Sequence, residues 1–210
     1  MKKILFLILI GSFFVGGCVR TYIRSSINPD FQGNSYANII VVANLSDIES
    51  QQTVEDAVVE RLSDLDVNAT PSYKVFFQGN TYSKDQRRAK IRKKGFDAVL
   101  FIHFTSSYET QTYVPQTTST TGQVNKTYNG FDYSENTYQT GGYYLSQPNF
   151  TIRTRLLESN KFDTVWVSDA QSHGCAICGF GRIMGSFADT LVNKLAKDGM
   201  LGTDEKTPEK

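Results

Sequence analysis

The sequence predicts an α/β (α+β) protein: one mixed β-sheet with about three helices packed on it and a long polar loop or extended hairpin. Three observations carry this. Residues 39–43 (Ile-Ile-Val-Val-Ala) and 96–104 form continuous apolar runs with the length and β-branched or aromatic content of strands buried on both faces. Amphipathic helical segments are interleaved with these runs, and a hairpin and a last helix follow, an order that favours helices packed on a mixed sheet. Finally, 210 residues at 40% hydrophobic suffice for one core and argue against a two-domain enzyme.

The elements follow in order. Met1-Lys2-Lys3 precedes an apolar run over residues 4–15, the charge and length profile of a bacterial export signal. A spanning helix competes, but it needs about 20 apolar residues. Only sixteen uncharged residues separate Lys3 from Arg20. Residues 18–36, with Arg20, Arg24, Ser25, Ser26, Pro29, Asp30, Gly33 and Asn34 among scattered Tyr22, Ile23 and Phe31, read as a short leader, so the domain is expected over 37–200.

After the first buried run, Ser46 and Glu49 have capping-box spacing, with Ser50 as a later alternative. Val54, Ala57, Val58, Leu62 and Leu65 then share one helical face, with Glu55, Asp56, Glu60, Arg61 and Asp64 mostly elsewhere. Val67 to Thr70 reads as a short strand stopped by Pro71, and residues 73–77 as further extended structure. Ser83 and Gln86 make a second capping box, and Gly95 suits a left-handed closing position. The run over 96–104 is the central strand.

Residues 113–146 shift to Thr, Ser, Gln, Asn, Gly and Tyr. Such a stretch buries too little apolar surface to offset about 1–2 kcal/mol of backbone entropy per residue. It is expected as a mobile loop or a long solvent-exposed hairpin. Residues 150–156 and 162–168 flank a turn at Ser159-Asn160-Lys161 and read as an antiparallel hairpin with one face on the core. Met184, Phe187, Ala188, Leu191 and Leu195 line the last helix, with Gly199 at its C′ position and 201–210 as a flexible tail.

Val15-Gly16-Gly17-Cys18 at the end of the apolar run resembles the lipobox of bacterial lipoproteins, an aliphatic residue and two small ones before a cysteine. The resemblance implies removal of residues 1–17 as a lipoprotein signal peptide, lipidation of the Cys18 sulfur with diacylglycerol and acylation of the new amino group. Two or three chains hold a protein to a membrane almost permanently, where one holds it marginally. Val19 follows, not the aspartate that marks inner-membrane retention in enterobacterial lipoproteins, which implies an outer-membrane anchor with the domain facing the periplasm. The element order also resembles a loose group of envelope proteins that includes the TolB N-terminal domain, lipoprotein activators of penicillin-binding proteins and the curli secretion lipoprotein. That resemblance implies a non-catalytic module that binds other envelope components.

Among local clusters, His173-Gly174-Cys175-Ala176-Ile177-Cys178-Gly179 stands out. Two cysteines three apart can form a disulfide ring, hold a metal or shuttle electrons, and an oxidising compartment favours the Cys175–Cys178 disulfide. A redox pair needs the first sulfur at a helix N-terminus, whereas Gly174, Gly179 and Gly181 place the next helix only after Arg182. Zinc wants four ligands. Cys175, Cys178 and His173 supply three, and His103, the only other histidine, reads as a core residue within its strand. No metal site and no cofactor is assigned; a c-type haem is excluded because its histidine follows the pair. Gly179, Gly181 and Gly185 miss the dinucleotide spacing and read as helix-entry punctuation.

Lys84, Arg87, Arg88, Lys90, Arg92, Lys93 and Lys94 place seven cations in eleven residues. They read as a solvated helix face or as a contact for anionic headgroups or envelope polymers. Setting aside residues 1–17, which carry Lys2 and Lys3 and no acid, leaves 20 basic against 21 acidic side chains, too balanced for bulk attraction to nucleic acid. Tyr108, Tyr113, Tyr128, Tyr133, Tyr138, Tyr143 and Tyr144 flank or stud the polar stretch, where they provide either a gripping surface for a protein or glycan partner or a ladder stacked across a hairpin. No serine sits in a Gly-x-Ser-x-Gly elbow and neither histidine is arranged with an acid. The expectation is a lipid-anchored, non-catalytic binding or scaffolding protein, with a thiol-redox or metal-binding role for Cys175 and Cys178 as the alternative.

Overall fold

The computed structural model describes residues 19–127 and 130–202. The signal segment 1–17, Cys18, Tyr128 and most of the tail therefore lie outside the described residues. The elements are β1 (Arg20–Ile27), β2 (Asn38–Asn44), α1 (Ile48–Ser63), β3 (Asn68–Pro71), α2 (Lys84–Lys93), β4 (Ala98–Val114), β5 (Thr117–Thr127), β6 (Gly130–Thr140), β7 (Tyr143–Glu158), β8 (Thr164–His173) and α3 (Phe180–Lys197). They form a mixed α/β fold with a six-stranded sheet ordered β1-β8-β7-β4-β2-β3 and a two-stranded sheet of β5 and β6.

The first apolar run is enclosed because β2 lies inside the sheet, parallel to β3 on one side and to β4 on the other. Its alternate side chains face opposite ways. Ile39, Val41 and Ala43 join Leu100 and Ile102 in the larger core, under Val54, Val58 and Leu62 of α1 and Ile183, Met184, Phe187, Ala188, Leu191, Val192 and Leu195 of α3. Ile40 and Val99 face a smaller cluster with Val75, Phe96 and Ile91 of α2. Two helices thus cover one face and a single short helix the other.

Local signals place the helix ends. Asp47, not Ser46 or Ser50, caps α1, its carboxylate accepting the Ser50 N–H at 2.7 Å. Both halves of the Ser83/Gln86 capping box form, at 3.2 and 2.9 Å. Gly95 (φ 77°) and Gly199 (φ 73°) follow α2 and α3 in the left-handed region. There the bonds from Phe96 N to Ile91 O and from Met200 N to Leu195 O close two Schellman motifs.

Five expectations are corrected. The leader is a strand: β1 pairs antiparallel with β8 from Arg20↔His173 to Ile27↔Trp166, so the domain begins at 20 and not at 37. Half of the inward positions of β1 are polar, which hid its alternation. Thr21 reaches the hydroxyls of Ser172 and Ser186, and Ser25 donates to Asp198 at 2.5 Å. Residues 72–74 form a 3₁₀ turn where extended structure was expected. Leu65 lies past the end of α1 and is 40% exposed, while Glu55, placed with the solvent-facing charges, is fully buried. The tail is held at its start, where Leu201 bridges Tyr36.

The described chain divides into two compact units, one running to Tyr108 and resuming at Pro148, the other Glu109–Gln147. Within the second, β5 and β6 pair from Thr117↔Thr140 to Thr127↔Gly130. The connection from β6 to β7 requires glycine: at Gly141 (φ 90°) an added Cβ would meet the Pro115 carbonyl oxygen at 2.0 Å.

Candidate functional site

In a sheet with parallel strands, the crevice that accepts ligands opens beyond the carboxyl ends, where successive connections leave toward opposite faces. Here β2 leads into α1 on one face, and β3 leads toward α2 on the other. A cleft of about 680 Å³ opens at that point, within the usual size range of small-molecule sites. Its lining comes from the end of β2 and the turn after it (residues 42–46), from the 76–82 loop, from α2, and from Val99, Phe101, Leu157 and Phe162.

The wall is aromatic and the rim is basic. Lys84, Arg87, Arg88 and Ile91 fall at i, i+3, i+4 and i+7 of α2, so one stripe of that helix faces the cleft. No lining residue is acidic. Among the described residues, no carboxylate lies within ion-pair distance of Lys84, Arg87, Arg88 or Lys90. Two of these cations lie over rings instead. Arg88 sits 4.9 Å from the Phe162 centroid, and Lys90 sits 5.4 Å from Phe76 and 5.0 Å from Tyr82. The Tyr82 hydroxyl is held below its ordinary value, first by the amide donated from Asn80 and, against a smaller effect of burial, by the Lys90 charge.

Behind the cleft floor Glu55 fixes the geometry. Its Oε1 accepts from Ala43 N (2.9 Å), Gln51 Nε2 (2.9 Å) and the Ser72 hydroxyl (2.7 Å), and its Oε2 from Tyr73 N at 3.3 Å. The buried carboxylate ties the end of β2, the first turns of α1 and the turn after β3 into one frame. Sequence reading missed it because a helical wheel groups Glu55 with its charged neighbours, while three of its four donors come from other elements.

The basic cluster is therefore split. Lys84, Arg87 and Arg88 rim the cleft and Lys90 covers its aromatic wall, whereas Lys93 and Lys94 are exposed beyond it. Arg92 turns away, stacking on Phe162 at 5.4 Å and donating to the carbonyls of Ser159 and Asn160. A second depression, lined by Tyr36, Arg92, Asp97 and Glu158 among others, has both of these carboxylates already engaged. Asp97 accepts from Ala37 N at 2.9 Å and from Asn38 N at 3.1 Å. Glu158 accepts from Asn160 N at 2.9 Å and from Lys161 N. Burial pushes the Glu158 carboxyl up, but the amides of Lys161, Asn160, Asp163 and Phe162 outweigh it and hold it below its ordinary value.

The other sequence candidates lie apart from the cleft. Cys175 and Cys178 are joined by a disulfide. Helix α3 starts at Phe180 on a Gly179 cap, earlier than expected, which puts the ring just before a helix N-terminus. Cys175, the sulfur that would attack in a redox exchange, is only 8% exposed. His103 is not a core residue: it is half-buried at the end of the β2–β4 pairing, with Nδ1 3.1 Å from Asn44 Nδ2. The Nδ1 of His173 lies 2.6 Å from Asn149 Oδ1. Among the described residues no three His, Cys, Asp or Glu side chains are grouped to hold a metal.

In the Glu109–Gln147 unit, Tyr133, Tyr138, Tyr143 and Tyr144 are 52–68% exposed. Some stacking is present. Tyr113 and Tyr144 lie 5.1 Å apart, and the Tyr133 ring covers Gly122 on the neighbouring strand. Tyr138 and Tyr133 are five residues apart on β6 and so occupy opposite faces of the ribbon.

Fold and cleft together define a mixed α/β domain with one closed and one open sheet face. Among solved structures the chain is similar to the PelC dodecamer from Paraburkholderia phytofirmans, at 10% identity and a TM-score of 0.47 over 88% of this chain and 100% of that one. It is also similar to the lipoprotein GNA1162 from Neisseria meningitidis, at 19% identity and 0.41 over 77% of this chain and 99% of that one. At these scores the likeness gives this chain neither a family nor a function. No family model and no curated protein matches the sequence. None of the described helices is long and apolar enough to cross a membrane.

Proposed function

We propose that this chain is a lipid-anchored, non-catalytic binding or scaffolding protein of the bacterial envelope, held in the outer membrane on its periplasmic side by acyl chains on Cys18. The anchor rests on the Val15-Gly16-Gly17-Cys18 segment and on Val19 after it. With β1 starting at Arg20, two residues past Cys18, at most about 7 Å of chain separates the lipid-bearing residue from the sheet. The module rests almost directly on the membrane.

The single observation that carries the binding role is the β5–β6 ribbon and its flanks, which leave tyrosines exposed among Ser, Thr, Gly and Asn. This composition gives large contact area with adaptable hydrogen bonding at low entropic cost. The partner is an envelope protein or glycan. Deleting residues 116–140 tests this, since the Gly142 amide already donates to the Val114 carbonyl at 2.8 Å and the cut ends meet. The deletion is expected to leave the cooperative melting of the remaining unit unchanged, with circular dichroism losing only the strand signal of β5 and β6, and to abolish in-cell crosslinks. Unaltered partner recovery by mass spectrometry refutes the ribbon's role.

A further inference from the structure

The cleft at the carboxyl ends of β2 and β3 is independent of the ribbon and of the anchor, and it has a definite chemistry. Its floor and walls are apolar on the sheet side, through Val42, Val99 and Phe101, and aromatic on the loop side, through Phe76 and Phe77. Phe77, at the mouth, is 70% exposed, with its ring edge over Gly79 and most of its surface left to solvent. One edge carries Lys84, Arg87 and Arg88 without a lining acid. The buried carboxylate behind the floor, Glu55, is occupied by four donors.

Three cations without an ion-pair partner among the described residues, beside an apolar wall, call for a ligand with more than one negative charge at one end and hydrocarbon at the other. A carboxylate supplies one charge. A phosphate monoester carries about −1.5 to −2 and offers three acceptor oxygens, which suits two guanidinium forks and an ammonium. We propose that the cleft binds a single-chain alkyl phosphate, with the phosphate held by Lys84, Arg87 and Arg88 and the chain lying along Phe76, Val99 and Phe101. Because the rim is open to solvent, binding weakens as salt rises.

The test titrates the full chain, held in nanodiscs of zwitterionic phospholipid, with octyl phosphate, octanol and inorganic phosphate, subtracting partition into empty nanodiscs. Octyl phosphate is expected to bind saturably at one site and at least tenfold more tightly than either fragment. The Lys84→Glu/Arg87→Glu double variant, whose two side chains are exposed and whose melting should be unchanged, is expected to lose at least tenfold. Phe77→Ser should weaken octyl phosphate binding several-fold and leave that of inorganic phosphate unchanged. Equal affinity for octyl phosphate and inorganic phosphate, or unaltered binding by the double variant, overturns the proposal. So does failure to bind octyl phosphate while the chain adheres to phosphatidylglycerol vesicles through Lys84 and Arg87, which would make the basic stripe a membrane contact.

Discussion

The two faces of the six-stranded sheet are made from alternate residues of the same strands, yet one is closed and the other is not. On the closed face, Ile39, Val41, Leu100 and Ile102 lie beneath two helices, and α3 alone buries seven side chains. On the other, the ten-residue α2 buries only Ile91, and Val42 and Phe101 are left lining a cleft. Strands β2 and β4 are apolar on both sides, so their sequence alone does not decide which face closes. The length and amphipathicity of the covering helices do, and α2 has exchanged apolar cover for cations.

The largest expected effect sharpens this contrast. Phe187→Ala, in the closed core with no exposed surface, should cost about 3–5 kcal/mol in chemical denaturation. Phe101→Ala, on the cleft wall where water can fill the space, should cost about 1–2 kcal/mol. Equal losses would mean that the second face is as closed as the first.

A smaller effect sits at the junction of β1, β8 and α3. The Asp198 carboxylate accepts from Trp166 Nε1 (2.8 Å), Ser25 Oγ (2.5 Å) and Lys194 Nζ (2.6 Å). Burial pushes its carboxyl up, but the bonds from Lys194, Ser25 and Trp166 outweigh it and hold it below 3.8. A depressed value means that the folded state favours the ionised form. The stabilisation is present in full above pH 3.8 and is lost as pH falls through the folded-state value. Asp198→Asn should therefore cost about 1–3 kcal/mol at neutral pH, with the gap to the parent narrowing below about pH 4. A pH-independent gap would assign the loss to packing.

The smallest effect has the opposite sign. Thr154 and Ser168 face each other across β7 and β8, and among the described residues neither buried hydroxyl has a hydrogen-bond partner. Thr154→Val should stabilise by about 1 kcal/mol, seen as a raised melting temperature. A loss would reveal a partner for the hydroxyl.

Much of the frame was legible because its signals are local. The Ser83/Gln86 box, the left-handed Gly95 and Gly199, and the apolar runs of β2 and β4 each depend on residues a few positions apart. The cap of α1 was less so, because Ser46, Asp47 and Ser50 are all competent and the backbone chose Asp47. Strand β1 was missed because Thr21 and Ser25 look like leader residues until Ser172, Ser186 and Asp198 are placed beside them. The cleft was half legible. The cation cluster was visible, and the stripe of Lys84, Arg87, Arg88 and Ile91 was readable at helical spacing. What it faces was not, since Val42, Phe101 and Phe162 come from three distant segments.

The sequence by itself carried the export-signal profile and the lipobox resemblance, and it determined the buried runs of β2 and β4, the existence of three helices and the ends of two of them, since each is set by short-range sterics, hydrogen bonding or hydrophobic period. Only the tertiary structure decided that the leader completes the sheet, that Glu55 is buried and shared, and that the basic helix rims an apolar cleft. Those outcomes depend on donors, rings and charges that lie far apart along the chain and meet only when the sheet is assembled.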